Sequence, residues 1–358
     1  MPTKKCGDGH RRISGTNWTK WISPVIGSKP VRKLTRDDFE NVRDALDRAL
    51  GAQTIRHSTA RNIWGTLTVA LKAARKGKDR SLRVLETSIH IDVEPPDAGD
   101  SRQRPWLYPN EWVRLATCED VPIAWRQTYA VAVYTGLRPN ELRVLTWADV
   151  DLDASKISVS KSYDIETGVA KAPKTRAGQR EVKFPETLMP VLEATRRKPT
   201  DLVLPTLSMD EDRFAPMFRE YLRIAGINRP RLTANNGTEE PIDFRSLRDS
   251  YATWLALAGI DHGVIQRRLG HASPTTTERY IKAAESLDPK GIGAPFPALP
   301  SALCTNVWTN VWTRKNKTPG FPRGFSVARG RYARCIPRFR WGLNAGWSRS
   351  SRAYPPNR

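Results

Sequence analysis

The sequence predicts a mainly α fold with one small antiparallel β-sheet, divided into two folded parts and a basic tail. Three observations predict it. Apolar residues recur at helical spacing through most of residues 34–285, the period shortens to that of strands only near 156–185, and a Pro-, Gly- and Asp-rich break, "VEPPDAGDSRQRP" at 93–105, separates the two folded parts. The 358 residues are enough for two domains of ordinary size.

The elements follow in order. Residues 1–12 carry no sustained period and read as a flexible N-terminus. The first domain spans 13–98. In it "LTRDDFENVRDALDRAL" (34–50) is a helix capped by Thr35, with acids in its first turn and Phe39, Val42, Ala45, Leu46 and Ala49 on one face. "STARNIWGTLTVALKAARKGK" (58–78) is a second helix, with Ser58 as its cap and Ile63, Leu67, Ala70, Leu71 and Ala74 on its apolar face. A linker occupies 99–107 and the second domain 108–290. Its helices are "NEWVRLATC", "AWRQTYAVAVYTG", ending at Gly136, and "NELRVLTWADV". The β-rich pieces "SKISVSKSYD", "GVAKAPKT" and "REVKFP" then read as a three-stranded antiparallel sheet over 156–185. Helices return at 186–197, 211–225, 245–258, 261–268 and 274–285, the last with Ser273 as N-cap and Pro274 as first helical residue. Trp147 and Trp254 are core aromatics, and His10, His57 and His90 are surface residues. Residues 291–358 contain no Asp or Glu but 12 Lys or Arg, with a direct repeat "TNVWTNVW" at 305–312, and read as a disordered basic tail.

Composition narrows the function. With 59 Lys and Arg against 37 Asp and Glu, the formal charge is +22, which favours a polyanionic partner. No apolar run approaches a membrane span, and the first residues, "MPTKKCGDGHRRISG", lack the apolar segment of a secretory signal. Cys6, Cys118, Cys304 and Cys335 are isolated, so neither a disulfide framework nor a zinc cluster is expected. A cytoplasmic, metal-free and cofactor-free nucleic-acid-binding protein fits these constraints.

Four stretches carry chemistry. "YTGLRPNEL" (134–142) puts Arg138 at a helix junction, with Glu141 three residues on to hold its guanidinium. "KAPKTRAGQR" (171–180) puts Lys174 beside a tight turn. "FRSLRDSYATWLALAG" (244–259) puts Arg245 and Arg248 on one helix face. "LGHASPTTTERY" (269–280) places His271 after a helix and Tyr280 within the next one. A phosphodiester in transfer has two non-bridging oxygens that gain charge, and arginine forks bind them bidentately. A His adds a hydrogen bond, a Tyr oxygen can attack phosphorus, and a Lys can protonate the leaving sugar oxygen. Clustered cations take the place that a metal would hold.

These stretches resemble the tyrosine recombinase, or phage integrase, family. "TGLRPNEL" is similar to its first arginine box, and "LRDSYATWLALAG" with "IQRRLGHASPTTTERY" to its second. His271 and Tyr280 stand nine residues apart, as the family places them, and Leu269, Gly270 and Thr277 match as well. Lys174 and Thr175, with Arg180 and Pro185 beyond, resemble the hairpin that carries the family's lysine. The likeness is strong over 105–285 and weaker over 15–95, which resembles the helical, SAM-like core-binding domain that closes over the other side of the DNA.

The resemblance implies site-specific cutting and rejoining of double-stranded DNA through a covalent 3′-phosphotyrosine, independent of metal and ATP, as in a phage- or mobile-element-type integrase. Arg138 and Arg248 would clamp the scissile phosphate, Lys174 would be the general acid, His271 would donate to a non-bridging oxygen and Tyr280 would be the nucleophile. The family usually has His, sometimes Lys, three residues before its second arginine. Here Arg245 stands there; it can bind phosphate but is a poor proton acceptor. Implied partners are duplex DNA, further copies of the chain in a tetramer on two DNA sites, and accessory DNA-bending proteins. The segment "AAESLDPKGIGAPFPALP" (283–300) is the candidate for docking in trans on a neighbouring copy, or else a plain linker. Alternatives are a catalytically impaired DNA-binding relic and a type IB topoisomerase-like enzyme.

Overall fold

The computed structural model describes residues 8–77, 80–86, 92–99, 102–173, 178–236, 238–287 and 291–306. The N-terminal part holds helix α1 (Asp8–Asn17), a π-helical turn (Trp18–Ile22), α2 (Ser23–Ile26), α3 (Arg36–Gly51) and α4 (His57–Lys76). Residues 8–12, expected as part of a flexible N-terminus, lie within helix α1. Thr35 precedes α3 as predicted, and its N–H donates to Asp38 Oδ2 at 2.9 Å. Helix α4 starts one residue before the expected cap Ser58, with Arg56 at the N-cap position. Phe39, Val42 and Leu46 of α3 and Ile63, Leu67 and Leu71 of α4 close over Ile22 and Ile26 in a core of their own. This is the helical period converted into burial.

A second core is built from residues 107–303. It begins with α5 (Pro109–Thr117), α6 (Ile123–Thr135) and the single turn α7 (Pro139–Leu142). Helix α6 is buried on almost every side, as is α10 (Ser246–Leu257). Tyr134 of α6 meets Trp254 of α10 edge to face, with ring centroids 6.2 Å apart. Trp147 and Trp254 are both buried, as expected for core aromatics.

The β region differs from the prediction. The expected single sheet of consecutive strands is two sheets. Strands β1 (Val150–Asp151), β2 (Lys156–Val159) and β5 (Arg180–Lys183) form one antiparallel sheet in the order β1-β2-β5. Strands β3 (Ser162–Asp164) and β4 (Val169–Lys171) form a separate hairpin. Ile157 and Val182 face each other across the larger sheet and are fully buried. Strand β4 is exposed along its length, so nothing draws that hairpin into the core.

Helices α8 (Met189–Thr195), α9 (Phe214–Ile224), α10, α11 (His262–Leu269) and α12 (Thr275–Glu285) complete the second part. Pro274 rather than Ser273 is at the N-cap position of α12. The tail expected from residue 291 is also corrected. Leu303 is fully buried in the second core, Gln127 Nε2 donates to Leu303 O at 2.9 Å, and Tyr134 Oη donates to Pro297 O. Residues 291–306 thus strap back onto their own chain; the remainder of the predicted tail, 307–358, and His90 lie outside the described residues. No helix of the described residues is long and apolar enough to cross a membrane.

Candidate active site

Helix α6 ends at Gly136, whose φ of +62° lies in the left-handed region. A Cβ there would stand 2.2 Å from the Tyr251 ring, so the turn needs glycine twice over. Two residues later Arg138 opens α7. Its N–H donates to Glu141 Oε2 at 2.9 Å and its Nη1 to Glu141 Oε1 at 2.8 Å. This is the pairing the sequence predicted, with one addition. Arg180, on β5, forks onto the same carboxylate at 3.0 and 2.9 Å. Burial alone would raise the pKa of Glu141; the Arg180 and Arg138 cations overcome it and hold the carboxyl down at about 2.

Arg245 stands at the N-terminal boundary of α10, exposed, and Arg248 lies one turn inside. Arg248 is buried. Its Nη1 donates to Gly136 O at 2.8 Å, and its Nη2 to Leu269 O and to His271 Nε2, the latter at 3.2 Å. Burial, with Arg138 close by, pushes its pKa down to about 9, so it stays cationic at neutral pH. The end of α11 explains how three cations coexist here. Arg180 Nε donates to Arg268 O, Arg248 to Leu269 O, and Arg138 Nη2 to Gly270 O. These carbonyls lie at the negative end of the helix and serve as a fixed counter-charge.

Gly270, with φ +64°, ends α11 and delivers His271. Because Arg248 can only donate, His271 Nε2 accepts, and Nδ1 carries the proton to Thr277 Oγ1 at 2.9 Å. Burial and the Arg248 and Arg138 charges push the imidazole down to about 3, so it is neutral at pH 7. Its ring stacks near that of Tyr280, with centroids 6.3 Å apart and planes 16° apart. Tyr280 packs its ring among Tyr251, Leu255, Ile265 and Leu269, while its hydroxyl faces polar partners. Tyr280 Oη donates to Asp249 Oδ1 at 2.5 Å and accepts from Arg279 Nη2 at 2.5 Å. Burial and the Asp249 charge push the phenol up to about 12.

Arg138, Arg245, Arg248, His271 and Tyr280, five of the six residues expected from sequence, line one open cavity of about 670 Å³. The sixth, Lys174, lies outside the described residues, between β4 and β5. The sequence reading gave no role to Arg180, Asp249, Arg104 or Arg279. Arg180 carried a signal, its place in the hairpin pattern. Asp249 carried one too, an acid directly beside Arg248 in a box otherwise chosen for cations.

Residues 105–286 match the model of the phage integrase family. The chain belongs to the phage integrase family. With the family comes the class: a tyrosine recombinase, an enzyme that acts on DNA. Among curated relatives, the ICEBs1 integrase of Bacillus subtilis (strain 168) is 24% identical over 272 residues, covering 72% of this chain and 69% of that protein. The prophage integrase IntR of Escherichia coli (strain K12) is 42% identical over 203 residues, 51% of this chain, which spans about half (48%) of that relative's length. Among solved structures, the Tn1549 transposon integrase in complex with transposon right end DNA superposes with a TM-score of 0.57 at 18% identity, covering 78% of this chain and 93% of that one. This last likeness concerns the fold.

Proposed function

We propose that this family member is a site-specific integrase that cuts and rejoins duplex DNA through a 3′-phosphotyrosine at Tyr280. The observation that carries the reading is the convergence of Arg138, Arg245, Arg248, His271 and the Tyr280 hydroxyl on one cavity. A scissile phosphate in that cavity meets guanidinium groups on several sides. Arg138 and Arg248 bind its non-bridging oxygens with N–H donors beyond those that hold the α11 carbonyls; each guanidinium has five. Arg245, without an ion-pair partner among the described residues, adds a third cation. His271 presents Nε2 on the same side and donates to a phosphate oxygen once it takes up a proton, which the arriving anion favours. Lys174 protonates the leaving 5′ oxygen.

The ester bond is kept as phosphotyrosine, so the second transesterification needs no ATP. The arginines supply the charge stabilisation that a metal gives elsewhere. Exchange between two duplexes cuts four strands, and each chain offers one Tyr280, so the working unit is a tetramer on two sites. Residues 13–98 act as a core-binding domain and 108–290 as the catalytic domain, the two embracing the duplex. Accessory DNA-bending proteins assist assembly, and the bacterial cytoplasm or nucleoid is the place of action. The resemblance to integrases of mobile elements supports this assignment.

The experiment uses duplexes selected from a random pool by binding to the Tyr280→Phe chain, then nicked near the crossover so that religation fails. Wild type should accumulate a covalent complex whose DNA-bearing peptide contains Tyr280. Abundant complex in Tyr280→Phe would overturn the assignment. No complex with wild type on any selected duplex would favour the DNA-binding relic.

A further inference from the structure

A tyrosine that attacks phosphorus must lose its hydroxyl proton, and the residues expected to help cannot receive it here. Arg245 has no acceptor lone pair. His271 is committed elsewhere: its Nε2 accepts from Arg248 and in the reading above serves a phosphate oxygen, and its Nδ1 donates to Thr277. The Tyr280 proton already has a destination, however. Asp249 Oδ1 accepts it at 2.5 Å, and Asp249 is only 5% exposed.

The groups around this carboxylate come from three elements. Arg104, in the segment between the two cores, donates to Oδ2 at 3.3 Å. Arg279, on α12, donates to Oδ1 at 2.8 Å and also to Tyr280 Oη. Arg248 and Arg245 precede Asp249 on α10. Arg279 is therefore placed to follow negative charge as it moves from the carboxylate to the phenolic oxygen.

We propose that Asp249 is the general base of strand cleavage, receiving the Tyr280 proton on Oδ1 as Oη bonds to phosphorus. This rests on the integrase reading above. In the forward step the Oη–P bond forms and the P–O5′ bond breaks. The electron pair leaves with O5′, which takes a proton from the general acid, while the Oη proton passes to Asp249. In rejoining, a 5′ hydroxyl attacks the phosphotyrosine and gives its proton back to the deprotonated general acid; the P–O5′ bond forms, the P–Oη bond breaks, and Asp249 returns its proton to Oη. Asp249 contacts the reacting atom in both directions.

The test is single-turnover cleavage of the nicked, selected duplex by the full chain. Asp249→Asn keeps an acceptor oxygen but cannot take a proton. It should cleave about 10²–10⁴-fold more slowly at neutral pH. Its rate should climb with pH, and a fluorinated, more acidic tyrosine at position 280 should recover much of the loss. Asp249→Glu should retain more activity than Asp249→Asn. Duplex binding, measured in the Tyr280→Phe background, should be unchanged. Wild-type-like cleavage by Asp249→Asn would overturn the proposal, as would a slow variant indifferent to pH and to fluorination, the mark of a tether.

Should Asp249→Asn fail to fold, wild type carries the test. On a duplex with a 5′-bridging sulfur, whose departure needs no proton, cleavage should still slow in D₂O; equal rates would overturn the proposal. Absence of any wild-type complex overturns the parent reading and this one with it, whereas a competent wild type beside an unaffected Asp249→Asn overturns this one alone.

Discussion

At the scale of single residues, Arg245 and Asp249 divide a task that the family resemblance assigns to one place. The sequence draws attention to Arg245 because a proton acceptor is expected there. The structure puts an acceptor four positions on, against the Tyr280 hydroxyl. Arg245→His is accordingly expected to preserve or raise cleavage of the nicked duplex, since the position need only serve the phosphate. Total loss with normal duplex binding would mean that Arg245 has a different role.

A second expectation at this scale concerns acid. His271 is held near 3 against 6.5 when free, by burial and Arg248, and Glu141 near 2 against 4.5, by its arginines against burial. Between each pair of values the unfolded chain binds more protons than the folded one, so stability rises with pH there. It should be complete above about pH 6.5 and fall as pH drops, first through the His271 window and then from about 4.5 down to about 2. The Glu141 share is on the order of 3 kcal/mol. Melting temperatures across this range, with Glu141→Gln flattening the lower limb, check it; a flat profile from neutral to pH 4 would contradict it.

At the scale of elements, the helices were legible because burial enforces their period. Both faces predicted for α3 and α4 are the faces that pack. The β region was less legible. Short strands give few alternations, and the β3–β4 hairpin, half-buried on β3 and exposed on β4, has no buried face to write a pattern into the sequence. The strap at 291–306 was missed for a related reason: its contacts are a few isolated apolar residues and backbone carbonyls, which leave no period. The junction after α6 offers the sharpest test at this scale. Gly136→Ala adds a side chain in left-handed backbone against the Tyr251 ring and shifts the carbonyl that Arg248 holds. We expect roughly 2–4 kcal/mol of destabilisation and weaker duplex binding. A calorimetric midpoint equal to wild type would show that the turn tolerates a side chain.

At the scale of the whole molecule, charge is the property that composition gives directly. A surplus of 22 positive charges directs the chain to a polyanion before any motif is read, though it does not locate the site. The site also depends on residues 110 or more positions apart, such as Arg138 against Gly270 and Arg248 against Gly136, contacts that no local pattern contains. Duplex affinity should fall linearly in log–log form with salt, at about 0.9 per phosphate neutralised, and Arg245→Ala should reduce that slope by about one phosphate. Titration of the Tyr280→Phe chain at several salt concentrations measures both; a salt-independent affinity would mean that the basic surface is not the DNA-binding face.

The carbonyl end of α11 has one more consequence. Arg138, Arg180 and Arg248 are all seated on it, so one helix end sets the spacing of three guanidinium groups. On the integrase reading, a duplex does not have to gather scattered cations. On that reading a phosphate would meet the N–H donors that the carbonyls leave over, on guanidinium groups already held in place.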